Sequence, residues 1–224
     1  MTTTRERAIN LRDWESRAHQ EGRLKLLVRP VKPQPYRDTE MRHTMFVGGT
    51  VWVRNGKLKA DWAHAVKNPE SMIQFCPYGQ PGDRLRGREA FDVSPEPTGW
   101  EGHHWLTYVA DGDRIEVDCA EFYMGRLKPG KRYPSIHMPR WAVRNWLEIT
   151  EVRCGRVREM SEEDAAAEGV GPGYMPNSLG STTCAGYRPM FARVWRDING
   201  PDSWAANPWV WVIEFKRIEG GGAK

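Results

Sequence analysis

Between Pro208 and Lys216 the sequence reads Trp209-Val210-Trp211-Val212-Ile213-Glu214-Phe215, apolar at odd and even positions alike. A strand with one face in water alternates apolar with polar residues. A strand apolar on both faces must be covered on both, so this run predicts a central strand. The chain around it is cut into short pieces by turn formers. Cys76-Pro77-Tyr78-Gly79-Gln80-Pro81-Gly82-Asp83 delivers the chain into a strand from Arg84 to Phe91. Trp105–Val109 and Arg114–Cys119 form a hairpin about Asp111-Gly112-Asp113, and Phe46–Trp62 holds another, with Arg54-Asn55-Gly56-Lys57 as a type I′ turn. Trp146 to Val157 reads as a strand that loses its alternation midway, the mark of a bulge.

Three helices are expected. Ala8, Leu11, Trp14 (or Glu15) and Ala18 share one face over residues 5–22, with Gly22 as the stop. Ser161-Glu162-Glu163-Asp164 is a capping box for a short helix ending at Glu168-Gly169. Phe191, Val194, Trp195 and Ile198 follow i, i+3, i+4, i+7 spacing before Asn199-Gly200-Pro201. Pro30, Pro33 and Pro35 make an extended connector. Residues 92–104 and 170–186 read as loop insertions, Arg126 to Arg140 as a basic loop, and 219–224 as a frayed tail. The predicted fold class is α+β: one domain over residues 1–218, a small mixed β-barrel of five to seven strands with about three flanking helices. At 224 residues the chain is long enough for a real core.

No run of about 18 apolar residues exists, and Met1 to Arg12 is polar rather than a secretory signal, so the expectation is a cytoplasmic chain without membrane contact. The cysteines Cys76, Cys119, Cys154 and Cys184 are far apart in sequence, and none makes a CxxC pair. Neither they nor the six histidines show metal-ligand spacing, so no metal is expected; His103 and His104 fall in a Gly-rich loop and are expected to be exposed. GxGxxG, Walker A, HExxH and GxSxG sequences are all absent, and no cofactor is indicated.

The overall charge of +4 says little about partners, but its distribution says more. From Arg126 to Arg158 nine basic residues stand against two acids, Glu148 and Glu151. Such a stretch is either a phosphate-facing surface or a solvated face whose counter-charges folding supplies. Trp141 and Trp146 sit within it, two of eleven tryptophans. Aromatic rings beside cations can stack bases while the cations hold phosphates. Trp195, Trp209 and Trp211 are core candidates, whereas Trp141, after Pro139-Arg140, is a candidate contact residue.

Several segments, in order, resemble the ASCH family, a branch of the PUA-like β-barrels, in the long form often carried by bacteriophages and prophages. They are Glu21-Gly22-Arg23 with Arg29 to Pro35, then Cys76 to Leu85, and then Pro134-Ser135-Ile136-His137-Met138-Pro139-Arg140-Trp141-Ala142. Ser161 to Gly169, Asn199-Gly200-Pro201, and Trp204 with Asn207-Pro208-Trp209-Val210-Trp211-Val212 complete the set, which spans about residues 14 to 218. The resemblance implies a PUA-like barrel with helices around a cleft that binds RNA or nucleosides. Some small bacterial members of the family are amidohydrolases that remove the acetyl group of N4-acetylcytidine. Those enzymes use a Lys and a Thr after the Gly-Arg turn, with a Glu at the end of the later short helix.

Position by position, Glu168 matches the family Glu. The Lys position is Leu24, the Thr position is Leu27, and of the two following arginines only Arg29 remains. Lys25 is one residue out of register, and a slip of one in an extended segment turns a side chain to the other face. Arg86-Gly87 stand where the family usually has apolar residues. Three functions follow as expectations. The first is a module that binds RNA, single-stranded nucleic acid or a modified nucleoside without catalysis. The second is an amidohydrolase of an acylated cytidine, with Glu168 and Lys25 as the catalytic pair. The third is a phage accessory protein whose partner is a host protein. Candidate ligand-binding residues are Arg29, Lys131, His137, Arg140 and Trp141, and Glu89 is expected to pair with a neighbouring Arg.

Overall fold

The computed structural model describes residues 4–32, 34, 52–54, 57–59, 73–100, 102–118, 127–176 and 182–218. The fold is mixed α and β, and the chain divides into two compact units. The first comprises Met1–Leu24, Asp83–Glu148 and Lys216–Lys224; the second comprises Lys25–Gly82 and Ile149–Phe215. In chain order the elements are β1 (Glu6–Asn10), α1 (Asp13–Gln20), β2 (Leu26–Pro30), β3 (Trp52–Arg54), β4 (Lys57–Lys59), β5 (Arg84–Arg88), β6 (Phe91–Pro97), β7 (His103–Tyr108), β8 (Arg114–Asp118), β9 (Arg132–Tyr133) and β10 (Asn145–Arg156). They continue with α2 (Glu162–Ala167), β11 (Gly173–Pro176), β12 (Thr182–Ala185), α3 (Tyr187–Asn199) and β13 (Trp209–Arg217).

In the first unit β5 lies between β1, which runs parallel to it, and the start of β10, which runs antiparallel. A second sheet has the order β8-β7-β6-β9. Phe91, Val93, Leu106, Tyr108 and Trp146 are buried in one apolar cluster beneath Met138 and Ala142. On the other side of β5, Leu85 is fully buried and Gly87 admits Leu11 and Asn145. A Cβ at Gly87 would lie 2.6 Å from Leu11 Cδ1 and 2.8 Å from Asn145 Cβ. Gly87→Ala is therefore expected to cost about 1–3 kcal/mol by overpacking, read as a lower urea midpoint at unchanged slope. A loss below about 0.5 kcal/mol would show that Leu11 moves aside freely.

In the second unit the order is β10-β13-β2. β13 is central, as its two apolar faces require: Val210, Trp211, Val212, Ile213 and Phe215 are all buried. α2 starts at Ser161, whose hydroxyl accepts the Asp164 amide at 3.0 Å, and it ends where Gly169 takes φ 84°. α3 buries Phe191 and Trp195 and ends at Gly200, φ 101°. Both glycines adopt a backbone that a Cβ disfavours, which is why the helices stop there.

The hairpin of β7 and β8 follows expectation, with Leu106 opposite Ile115 and Thr107 opposite Arg114. β3 pairs with β4 as expected of the earlier hairpin; Phe46 to Val51 and the turn residues 55–56 lie outside the described residues. Several readings need correction. Residues 6–10 are strand, not the first turns of a helix, because β1 finds ladder partners in β5; α1 begins only after Arg12. The segment 92–104 is a loop only in part. Phe91–Pro97 is strand, with Phe91 and Val93 pointing inward and an irregular register between Val93 and Pro97 that takes up the prolines. Within the segment 170–186, β11 pairs with β12. Strands outnumber the five to seven expected, and among the described residues no sheet closes into a barrel. No helix there is long and apolar enough to cross a membrane. The tail 219–224 lies outside the described residues.

Candidate functional site

Each unit carries one group of candidate residues. In the second unit the stop of α2 places Glu168 in the interior at 1% exposure, and β2 carries Arg29, itself buried. Arg29 Nη1 lies 3.8 Å from Glu168 Oε1 and donates to the Val28 carbonyl at 3.0 Å. A buried carboxylate is costly unless a cation faces it, and Arg29 supplies that cation. The neighbouring positions are filled with hydrocarbon: Leu24, Leu26, Leu27 and Val28 are all buried. Neither leucine 24 nor leucine 27 can carry a proton or attack a carbonyl.

Lys25 is exposed. Its backbone is tightly held, with its N–H donating to the Ala167 carbonyl at 2.7 Å and its C=O accepting from Phe215 at 3.1 Å. The chain therefore runs directly past the turn that holds Glu168, while the Lys25 side chain is turned to water. That is the outcome expected for an amine one residue out of register. The structure thus brings Arg29 together with Glu168 and gives Lys25 no buried site.

In the first unit, the segment Pro134–Ala142 is rigid for reasons visible in its sequence. Pro134 and Pro139 each precede a 3₁₀ turn: Ser135–His137, closed by His137 N to Pro134 O at 3.0 Å, and Arg140–Ala142, closed by Ala142 N to Pro139 O at 3.2 Å. Met138 and Ala142 point down into the apolar cluster. Ile136 and Trp141 point outward, 55% and 42% exposed. Arg140 reaches Glu6 at 2.8 Å. His137 is exposed and meets the edge of Tyr133, which stacks on Phe91 at 5.2 Å. Lys131 is exposed on the turn into β9 and holds that turn through its carbonyl, which accepts from Val93 at 2.9 Å. Lys131, His137, Arg140 and Trp141 thus all fall in the first unit, whereas Arg29, Lys25 and Glu168 fall in the second.

Glu89 is fully buried and pairs with a neighbouring arginine, as expected. Arg144 binds it through Nε at 2.8 Å and Nη2 at 3.0 Å. Ser16 Oγ donates to it at 2.6 Å and Asn145 Nδ2 at 2.7 Å. Arg144 also stacks on Tyr108, 3.9 Å from the ring centre, and reaches Asp111 at 2.8 Å. Burial pushes the Tyr108 hydroxyl up to about 12, against the nearby Arg144 charge. This network anchors α1 to the start of β6 and the start of β10.

His104 corrects the expectation of an exposed pair. It is buried, with Nδ1 2.9 Å from the Ser94 carbonyl, because β7 points it inward, whereas His103 stays near Glu116 and Asp118. Cys76 is buried and Cys154 partly so; burial pushes the Cys154 thiol up to about 12, which leaves it inert at neutral pH. Cys184 is exposed and Cys119 lies outside the described residues. Among the described residues no group of three His, Cys, Asp or Glu side chains is placed to hold a metal ion. No family model, curated protein or solved structure matches the chain.

Proposed function

We propose that this chain is a binding module for single-stranded RNA or a related nucleic acid, of PUA-like architecture, and that it works without catalysis. The observation that carries this reading is Trp141, an indole held 42% exposed on a rigid double turn beside Arg140. An exposed tryptophan costs solvation, and two consecutive turns with buried anchors fix it in place. A fixed ring beside a guanidinium suits an unstacked base next to its phosphate. The second support is negative for chemistry: the positions where the family resemblance puts an amine and a hydroxyl are the buried Leu24 and Leu27.

The test is fluorescence anisotropy with a labelled single-stranded RNA of about a dozen nucleotides. Trp141→Ala is expected to weaken binding by about 1–3 kcal/mol, the range for loss of one base–aromatic stack. Equal affinity in wild type and variant would remove Trp141 from the reading.

One observation favours a second reading. Glu168, buried against Arg29, is the carboxylate an amidohydrolase of an acylated cytidine would need. Incubation with N4-acetylcytidine separates the two: release of cytidine that vanishes in Glu168→Ala would establish the enzyme. Neither RNA binding nor turnover would move the function to a host-protein partner.

A further inference from the structure

We propose that the arginine-bearing face of β5, where it is open beside β1, is the phosphate-binding track for a single-stranded RNA. The inference rests on the nucleic-acid reading above and adds the surface that holds the backbone. β5 reads Arg84-Leu85-Arg86-Gly87-Arg88. Alternation sends Leu85 and Gly87 into the interior and leaves the three arginines on the opposite face, about 7 Å apart along the strand. Arg84 is exposed; Arg86 and Arg88 are half-buried.

The strands beside this row do not neutralise it. On β1, Glu6, Ala8 and Asn10 stand opposite Arg84, Arg86 and Arg88. Glu6 is engaged twice, by Arg86 Nε at 2.7 Å and by Arg140 Nη2 at 2.8 Å. On β10, Glu148 stands opposite Arg84 and is bound by Lys216 at 2.6 Å, and Trp146, opposite Arg86, is buried in the apolar cluster, so the arginine face is covered beside Trp146 and open towards β1. Arg86 and Arg140 share Glu6, so the five cations named here, Arg84, Arg86, Arg88, Arg140 and Lys216, face two carboxylates, Glu6 and Glu148.

The row is joined to the aromatic loop at two points. Arg88 Nη1 donates to the Ile136 carbonyl at 3.1 Å, and Glu6 links Arg86 to Arg140, the residue before Trp141. Cations in a line with exposed Ile136 and Trp141 beside them match a polyanion whose bases are unpaired. A duplex hides its bases from these two apolar side chains. Guanidiniums favour phosphate because their planar donors meet two of its oxygens at once.

The experiment measures binding of a labelled oligouridylate 12-mer to the full chain over a series of salt concentrations, beside a duplex RNA of equal length. For a single strand, each phosphate contact contributes about 0.7 to the slope of log K against log salt. Arg84→Gln/Arg86→Gln/Arg88→Gln is expected to lower the slope magnitude by about 2, and Arg84→Gln alone by about 0.7. Trp141→Ala is expected to reduce affinity with the slope unchanged. Arg84→Gln changes an exposed side chain and decides the matter if the triple variant does not fold. Wild-type binding with an unaltered slope in Arg84→Gln would overturn the β5 track and leave the nucleic-acid reading standing. Equal affinity for the duplex would overturn the single-strand assignment. No binding by the wild type, or binding only of an acidic polypeptide, would overturn both.

Discussion

Arg144→Met is expected to remove about 3–5 kcal/mol of stability, the usual cost of deleting one partner of a buried ion pair. Glu89 is fully buried and receives two of its four hydrogen bonds from Arg144. Without the guanidinium its charge is left with only Ser16 Oγ and Asn145 Nδ2, both neutral donors. The loss is a large share of the 5–15 kcal/mol typical of a folded domain. Urea unfolding at pH 7 measures it. The companion variant Arg144→Met/Glu89→Met removes both charges and is expected to recover most of the loss, because a pair replaced by packed hydrocarbon is often neutral. A loss below about 1 kcal/mol in the single variant would mean that water reaches Glu89 and solvates it.

The second large effect is a loss of stability on mild acidification. His19, on α1, is 1% exposed, and its pKa is lowered to about 4. Burial is the main cause; the charges of Arg217 and Arg144 lower it further, and a hydrogen bond with Asn145 opposes them. In the unfolded chain the imidazole titrates near 6.5. Above that value neither state binds the proton, and the stability is fully present. As pH falls from about 6.5 to about 4 the unfolded state takes up a proton that the folded state refuses, so stability declines over that window. The drop amounts to about 3 kcal/mol by pH 4. Urea midpoints at pH 7, 6, 5 and 4.5 trace the decline, and His19→Gln should flatten it. A wild-type profile already flat from pH 7 to 4.5 would show that the folded chain accepts the proton at His19.

The two effects are coupled through Asn145. It donates to Glu89 and to Ser16 and accepts from Gln20 Nε2 at 2.7 Å. Removing Arg144 also removes one of the charges that hold His19 neutral, so the acid sensitivity of Arg144→Met should be shallower than that of the wild type.

What the sequence revealed follows from the distance over which each feature is determined. The central strand β13, the cap at Ser161 and the stop at Gly200 depend on residues a few positions apart, and each was legible. β1 looks helical in the sequence because its apolar residues fit a helical face, and the partner that makes it a strand is about 78 residues away, as the Arg5 to Asp83 bond shows. β6 was hidden by its prolines, which an irregular register tolerates. Of the candidate site, Glu168 and Arg29 were singled out separately through the family resemblance, and Leu24 and Leu27 as a missing chemistry; that Arg29 faces Glu168 at 3.8 Å was not legible, because 139 positions separate them. The exposure of Lys25 matches its offset by one from buried Leu24, but the strand after it does not alternate: Leu26 to Arg29 are all buried. Arg144 as the partner of Glu89 was not identifiable, since 55 residues separate them and several arginines compete. The arginine row on β5 was present as plain alternation, but its meaning depends on which face the core occupies.

The first unit is assembled from three stretches of chain, with Arg5 bonded to Asp83 across 78 positions and Arg217 to Gln20 across 197. Closing loops of that size gives up entropy before any packing compensates it. Topologies dominated by such distant pairings fold in milliseconds to seconds rather than microseconds. The local turns of α2, α3 and the β7–β8 hairpin form early by comparison. The parallel ladder between β1 and β5 must wait until its strands meet. Until then β5 presents an unpaired edge, and its three like charges keep two such edges, on two newly made chains, from joining to each other.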